Sequence, residues 1–150
     1  MKKLFIIFIL INSCFTICAQ TEKDSMAIKR ACLDYIEGWA TGDVNRITRA
    51  VSKELVKRTI VEKDSVFYIR NMGASQLVYL TKRNGINGVR LKDLEPDTEF
   101  KSSVVIFDIS GKFALAKIKN TKYGFFDYCQ LAKINGAWKI INVLYAFTKE

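Results

Sequence analysis

The sequence contains no histidine. Histidine is the side chain that most often binds a metal or serves as a general base near neutral pH, so its absence removes the usual centre of both chemistries. Cysteine is scarce: four in 150 residues, with no Cys-x-x-Cys pair. A zinc site is therefore not expected, and neither a metal nor another cofactor is assigned. The chain also lacks a glycine-rich phosphate loop and a nucleophile–histidine pair. Proline occurs once, at Pro96, and no linker, repeat or low-complexity stretch divides the chain. One domain is the expectation.

What is present begins with a leader. Lys2 and Lys3 precede an unbroken apolar run from Leu4 to Ile11, Asn12-Ser13 break it, and Ile17-Cys18-Ala19 stand before Gln20. This is the order of a secretory signal. The expected organisation is a signal peptide over 1–19 and one domain over 20–150, exported to the periplasm or the medium. The apolar run is too short to span a bilayer, so no transmembrane segment is expected. Cys14, behind Ile11-Asn12-Ser13, resembles a bacterial lipobox, and lipid anchoring there is the alternative. Asn12 fits that pattern poorly, and Ala19-Gln20 fits ordinary cleavage better.

Beyond residue 19 two cysteines remain, Cys32 and Cys129, both in apolar periodic segments. One pair is no disulfide framework, and buried free thiols are the reading adopted. The formal charge is +9, of which Lys2 and Lys3 carry two, leaving +7. Such a surplus favours acidic partners or anionic surfaces. The basic residues are spread along the chain, and export argues against nucleic acid as a partner.

Asp24 or Ser25 can cap a helix whose apolar face is Ile28, Cys32, Tyr35, Ile36 and Trp39. Gly42-Asp43 ends it, and Asp43 caps a short second helix with Val44, Ile47, Ala50 and Val51 on its buried side. Leu55 to Val61 reads as a strand, Lys63-Asp64-Ser65 as a turn, and Val66 to Ile69 as a short strand. Gly73 to Lys82 reads as a third helix with Leu77, Leu80 and Thr81 on one side. Asn84-Gly85 and Asn87-Gly88 are turn pairs, and 84–98 is the least regular stretch. Four strands then follow: Ser102 to Ile109, Phe113 to Lys119, Phe125 to Ile134 and Ala137 to Phe147. The hairpin pair Asn135-Gly136 joins the last two.

Helices first and a meander last give an α+β fold, with N-terminal helices packed on one face of a curved antiparallel sheet. Val104 to Phe107 and Ile140-Ile141 are apolar on both faces, so both faces of the sheet must be covered locally. A second subunit covering the face without helices predicts a homodimer.

Several segments carry a resemblance. They are Tyr35-Ile36-Glu37-Gly38-Trp39 followed by Gly42-Asp43, Glu54 to Thr59, Asn71-Met72, Gln76-Leu77, Asp127 to Leu131, and Gly136 to Asn142. Together the chain resembles the nuclear-transport-factor-two-like superfamily over residues 25–147. Within it the chain is most similar to the lumazine-binding family of bacterial proteins. The resemblance implies a cone-shaped, cystatin-like domain with a pocket between the helices and the concave sheet face, and frequent dimers. Its members include ketosteroid isomerases, polyketide cyclases, dehydratases and non-enzymatic binding domains, so fold alone does not give function. Many place a histidine and proline where Ala50-Val51-Ser52-Lys53 stands here, and Ser52 occupies the histidine's position.

The candidate site residues are Tyr35, Trp39, Arg58, Tyr68 and Asp127. An isomerase-like reaction needs a carboxylate base in an apolar setting and a hydroxyl to hold an enolate. Asp127, among Phe125, Phe126, Tyr128 and Leu131, is the candidate base, and Tyr35, Tyr68 or Tyr128 the donor. The plainer reading places Asp127 on the solvent face or in a lysine pair. Arg58 can grip an anion or form an ion pair with Asp127 or Glu37. Lys57 beside it points the other way. Tyr35 and Trp39, one helical turn apart, can wall a planar ligand or simply fill the core. Trp138 reads as core. Lys112, Lys117, Lys119 and Lys122 form a basic stripe that guards a sheet edge or meets an anionic surface. The preferred function is an exported domain that binds a small hydrophobic or anionic ligand without catalysis. The alternatives are an isomerase, dehydratase or cyclase, with Asp127 and Tyr35 as working groups, and a dimeric protein-interaction module.

Overall fold

A computed structural model describes the backbone of residues 2–87 and 100–148 and the side chains of 21–83 and 100–148. Three helices, α1 (Lys2–Thr41), α2 (Val44–Ala50) and α3 (Ala74–Asn87), accompany six strands. These are β1 (Val51–Lys63), β2 (Val66–Gly73), β3 (Ser102–Ser110), β4 (Phe113–Asn120), β5 (Phe125–Ile134) and β6 (Ala137–Phe147). They form one sheet in the order β2-β1-β6-β5-β4-β3. The class is α+β, with the helices on one face.

The sheet is mixed rather than wholly antiparallel, because β1 pairs with β6 in parallel. After the β1–β2 hairpin and α3, the chain enters the sheet at the far edge and meanders back strand by strand. Its fourth return lays β6 beside β1 in the same direction. Register shifts in β1 between Val51 and Val56, in β3 between Ile106 and Asp108, and in β5 between Gln130 and Leu131 insert the bulges that bend such a sheet.

Pairing register settles the parity that two-faced apolar strands left open. One row crosses all six strands as Met72, Lys57, Val143, Cys129, Ala116 and Ile106, and every member is buried or half-buried. The row beside it, Asn71, Arg58, Leu144, Tyr128, Lys117 and Val105, lies on the opposite face. Ile28, Cys32, Tyr35 and Ile36 of α1, Ile47 of α2 and Leu77 of α3 close the core over the first face. On the other face Ile60, Phe67, Ile69, Val105, Phe107 and Leu144 are each more than half exposed.

Local signals explain most boundaries. Asp43 is the N-cap of α2, its Oδ1 accepting from the amides of Asn45 and Arg46. Asn135 and Gly136 both take positive φ, as a two-residue hairpin turn requires. Gly38 lets α2 approach α1: a Cβ there would lie 2.8 Å from Arg46 Cβ.

Four expectations need correction. No cap opens a helix at Asp24 or Ser25, because α1 runs unbroken from Lys2. No glycine or proline stands between Thr21 and Ser25 to stop it, and Asp24 instead accepts from Lys133 Nζ and Trp138 Nε1. Val51 belongs to β1, with extended φ and ψ, and not to α2. The short strand at Val66 continues to Gly73 as the sheet's edge. Helix α3 passes through Asn84-Gly85 to Asn87, since an interior glycine weakens a helix by about 1 kcal/mol without ending it. Gly88 and the stretch 88–98 around Pro96 lie outside the described residues.

Candidate functional site

The site grows from two strands and a helix. Lys57 in β1 and Asp127 in β5 sit on the helix-facing side of the sheet, with β6 between them. Tyr35 reaches them from the inner face of α1. Lys57 Nζ lies 2.7 Å from Asp127 Oδ1 and donates to the Tyr35 hydroxyl at 2.6 Å. Asp127 is 0 % exposed, Tyr35 1 % and Lys57 8 %. The ammonium also sits over the ring of Tyr145, 4.3 Å from its centroid, a favourable placement for a cation. Tyr145 half-emerges from the core, and its hydroxyl accepts from exposed Arg70 at 2.8 Å. A path of polar groups thus leads from solvent at Arg70 to a buried carboxylate.

One atom of this centre is unsatisfied. Asp127 Oδ2 is buried and has no hydrogen-bond partner among the described residues, and Thr81 Oγ1 in α3 shares that condition. Buried polar atoms are rarely left so, and a carboxylate oxygen without a donor can take one from a bound molecule. Burial first, and the nearby Asp127 charge second, hold the Tyr35 phenol well above the ordinary range. Tyr35 therefore stays protonated, with its O–H directed at Asp127.

Trp39 stands one turn beyond Tyr35, edge-on to Tyr123 at 5.2 Å and to Phe125 at 5.4 Å. Phe125 touches both groups, because Lys57 Nζ lies 5.6 Å from its centroid. Tyr35, Trp39 and Asp127 are thus brought into one neighbourhood. Asp127 faces the core and pairs with a lysine, which excludes the solvent-facing alternative. Trp138 is buried, as its place in β6 suggested.

Arg58 and Tyr68 are not brought there. Arg58 alternates onto the far face, where it donates to Asn142 Oδ1, and Asn142 Nδ2 donates on to Gln130 at 3.0 Å. Its expected partners are taken by others: Asp127 by Lys57, and Glu37 by Arg46. Tyr68 pairs with Val61 on exposed edge strand β2, four residues along from Lys57, a span of roughly 13 Å in a strand. Tyr128 also lies on the far face, with Lys117 over its ring and that of Phe126. Ser52 accepts from the Glu54 amide.

Lys57, Tyr145 and Arg70 complete the centre and were not among the candidates. The signal for Lys57 was a lysine within an otherwise apolar alternation, indistinguishable from Arg58 until parity is known. Nothing in the sequence marked Tyr145 or Arg70.

On the face without helices, Arg58, Ile60, Phe67, Ile69, Phe126 and Leu144 line much of a groove of about 930 Å³. It is open and apolar, it lies across the sheet from Asp127, and Tyr145 contributes to its lining as well as to the Asp127 centre.

A family profile described as "Putative lumazine-binding" matches residues 23–146. The chain belongs to this family. No curated protein matches the sequence. Among solved structures, the family member is similar to an NTF2-like protein of unknown function from Silicibacter pomeroyi, at 13 % identity and TM-score 0.64 over 85 % of this chain and 98 % of that one. It is also similar to an NTF2-like protein of unknown function from Shewanella baltica, at 22 % identity and TM-score 0.63 over 83 % and 93 %. A third likeness is to the "Putative Scytalone Dehydratase" of Novosphingobium aromaticivorans, at 12 % identity and TM-score 0.61 over 87 % and 88 %. At these identities the likeness establishes the NTF2-like fold. Other neighbours are described as cystatin-like, in agreement with the class read from the sequence.

Proposed function

We propose that this lumazine-binding family member is an exported domain that holds a small planar anion on the helix-facing side of its sheet, without catalysis. The observation that carries this reading is the unpartnered Asp127 Oδ2 beside Lys57 and the Tyr35 hydroxyl. Donors on the ligand would satisfy that oxygen, the rings of Tyr145 and Phe125 would flank it, and Arg70 at the rim would meet its charge. Export rests on Lys2-Lys3, the apolar run to Ile11 and the Ala19-Gln20 junction. Among the described residues no helix is long and apolar enough to cross a bilayer.

The test is calorimetric titration with 6-hydroxy-2-naphthoate, a planar aromatic carboxylate whose phenol at the opposite end supplies a donor. Arg70→Ala should weaken binding by about tenfold, the scale of one charge-assisted hydrogen bond. Equal affinity in the wild type, Arg70→Ala and Tyr35→Phe would overturn the reading.

An enzymatic reading keeps one specific support: Asp127 offers a free oxygen beside a protonated phenol, the pair that proton transfer next to a carbonyl requires. Turnover of an enolisable 5-ene-3-oxosteroid, abolished by Asp127→Asn, would establish it in place of simple binding. The exposed far face supports a further proposal, a homodimer packed sheet to sheet, since isolated domains rarely leave so much contiguous apolar surface in water. Light scattering at micromolar concentration should give twice the monomer mass, and Leu144→Glu should halve it.

A further inference from the structure

Cys32 and Cys129 are both fully buried and both free. Cys32 lies one turn before Tyr35 on the same face of α1, and Cys129 lies two residues beyond Asp127 on the same face of β5. Tyr35 and Asp127 meet at Lys57 and Trp39 meets Phe125, so α1 runs antiparallel to β5 and the two thiols are brought opposite each other between helix and sheet. They are 97 residues apart in the chain and belong to one hydrophobic cluster. Closing a bond between them brings the sulfurs to about 2.0 Å.

We propose that Cys32 and Cys129 form a disulfide-forming pair that covalently ties α1 to the sheet beneath the Tyr35–Lys57–Asp127 centre. The oxidant is a small-molecule disulfide such as oxidised glutathione. One cysteine thiolate attacks it, forming a mixed disulfide and releasing one reduced thiol. The second thiolate displaces the other reduced thiol, so the protein loses two protons and two electrons and the acceptor becomes two thiols.

The timing follows from the surroundings. The hydrogen bond with Cys32, and then burial, push the Cys129 thiol well above its ordinary range. The thiolate is the reactive form, so the folded, reduced protein resists soluble oxidants. Closure belongs to folding, or to moments when α1 lifts from the sheet. Once closed, the bond removes a loop of nearly 100 residues from the freedom of the unfolded chain, which in the chain-entropy account stabilises the fold.

The experiment uses the full chain carrying Cys14→Ser and Cys18→Ser, so that only this pair can react. The protein is unfolded in reduced form, refolded with and without a glutathione redox buffer, then denatured and treated with a maleimide. Peptide mapping should find Cys32 joined to Cys129 after oxidative refolding, with no thiol left to label. Melting should rise by at least about 5 °C over the reduced form, and a further Cys32→Ala change should remove that rise. Native reduced protein given oxidised glutathione alone should remain unlinked over the same period. Two maleimide labels after oxidative refolding would overturn the proposal, as would a glutathione adduct on each cysteine without a link, or a linked protein that melts lower than the reduced one.

Discussion

Replacing Lys57 by methionine keeps most of the side chain's volume and removes its charge. In the native protein that charge lies 2.7 Å from a carboxylate with no exposure to water. Asp127 Oδ2 already lacks a partner, so the substitution removes the lysine that serves Oδ1 and leaves a buried anion without its counter-charge. Breaking a buried pair from one side costs about 3–5 kcal/mol, mostly the penalty of the stranded charge. Removing both members should cost much less, because apolar side chains of similar size fill the space without a charge to desolvate. The expectation is a loss of about 3–5 kcal/mol for Lys57→Met, and a coupling of at least about 2 kcal/mol when Asp127→Leu is added. Urea unfolding of the two single variants and the double variant at pH 7 measures both quantities. A Lys57→Met loss below about 1 kcal/mol, or losses that simply add, would refute the reasoning.

Three further expectations concern the helical layer. The Asp34 carboxyl is held below its ordinary range, first by the hydrogen bond from Arg49 and then by that from Arg46, against the opposing effect of burial. Its folded value lies under its unfolded one, so its contribution is complete above about pH 4 and fades as the pH falls through the folded value; the gap in urea midpoint between wild type and Asp34→Asn should narrow below pH 4. Gly38→Ala forces a Cβ to within 2.8 Å of Arg46 Cβ and 3.1 Å of the Asp43 carbonyl, and overpacking by about 1–3 kcal/mol should outweigh the helix-propensity gain of alanine. Thermal melting checks this, and an unchanged or higher Tm would count against the close approach. Asp43→Ala removes both acceptor contacts to the α2 amides and should cost about 1 kcal/mol in urea unfolding.

Local chemistry made much of this architecture legible. Asp43 reads as a cap because the next residues begin an apolar period, and Asn135-Gly136 reads as a hairpin because few other pairs accept two positive φ angles. The four strands from Ser102 onward were recognisable because each is bounded by a turn. Contacts across long stretches of chain were not legible. Lys57 and Asp127 stand 70 residues apart, and nothing near either names the other. Lys57 and Arg58 are adjacent cations in one strand, and which one faces the helices depends on a register set by β2 and β6. The parallel pairing of β1 with β6 has the same origin, since strand order is a property of the assembled sheet. The family resemblance supplied the cone and the concave face, while the identity of the buried cation came only with the pairing.

The central claim is that a planar anion binds on the helix-facing side of the sheet at the Asp127 centre. Amide chemical-shift mapping with ¹⁵N-labelled protein, titrated with 6-hydroxy-2-naphthoate, tests it most directly. The account predicts saturable shifts at Tyr35, Lys57, Arg70 and Asp127, with Ile60, Phe67 and Leu144 unmoved. Shifts confined to those last three residues would place binding on the opposite face and contradict the account.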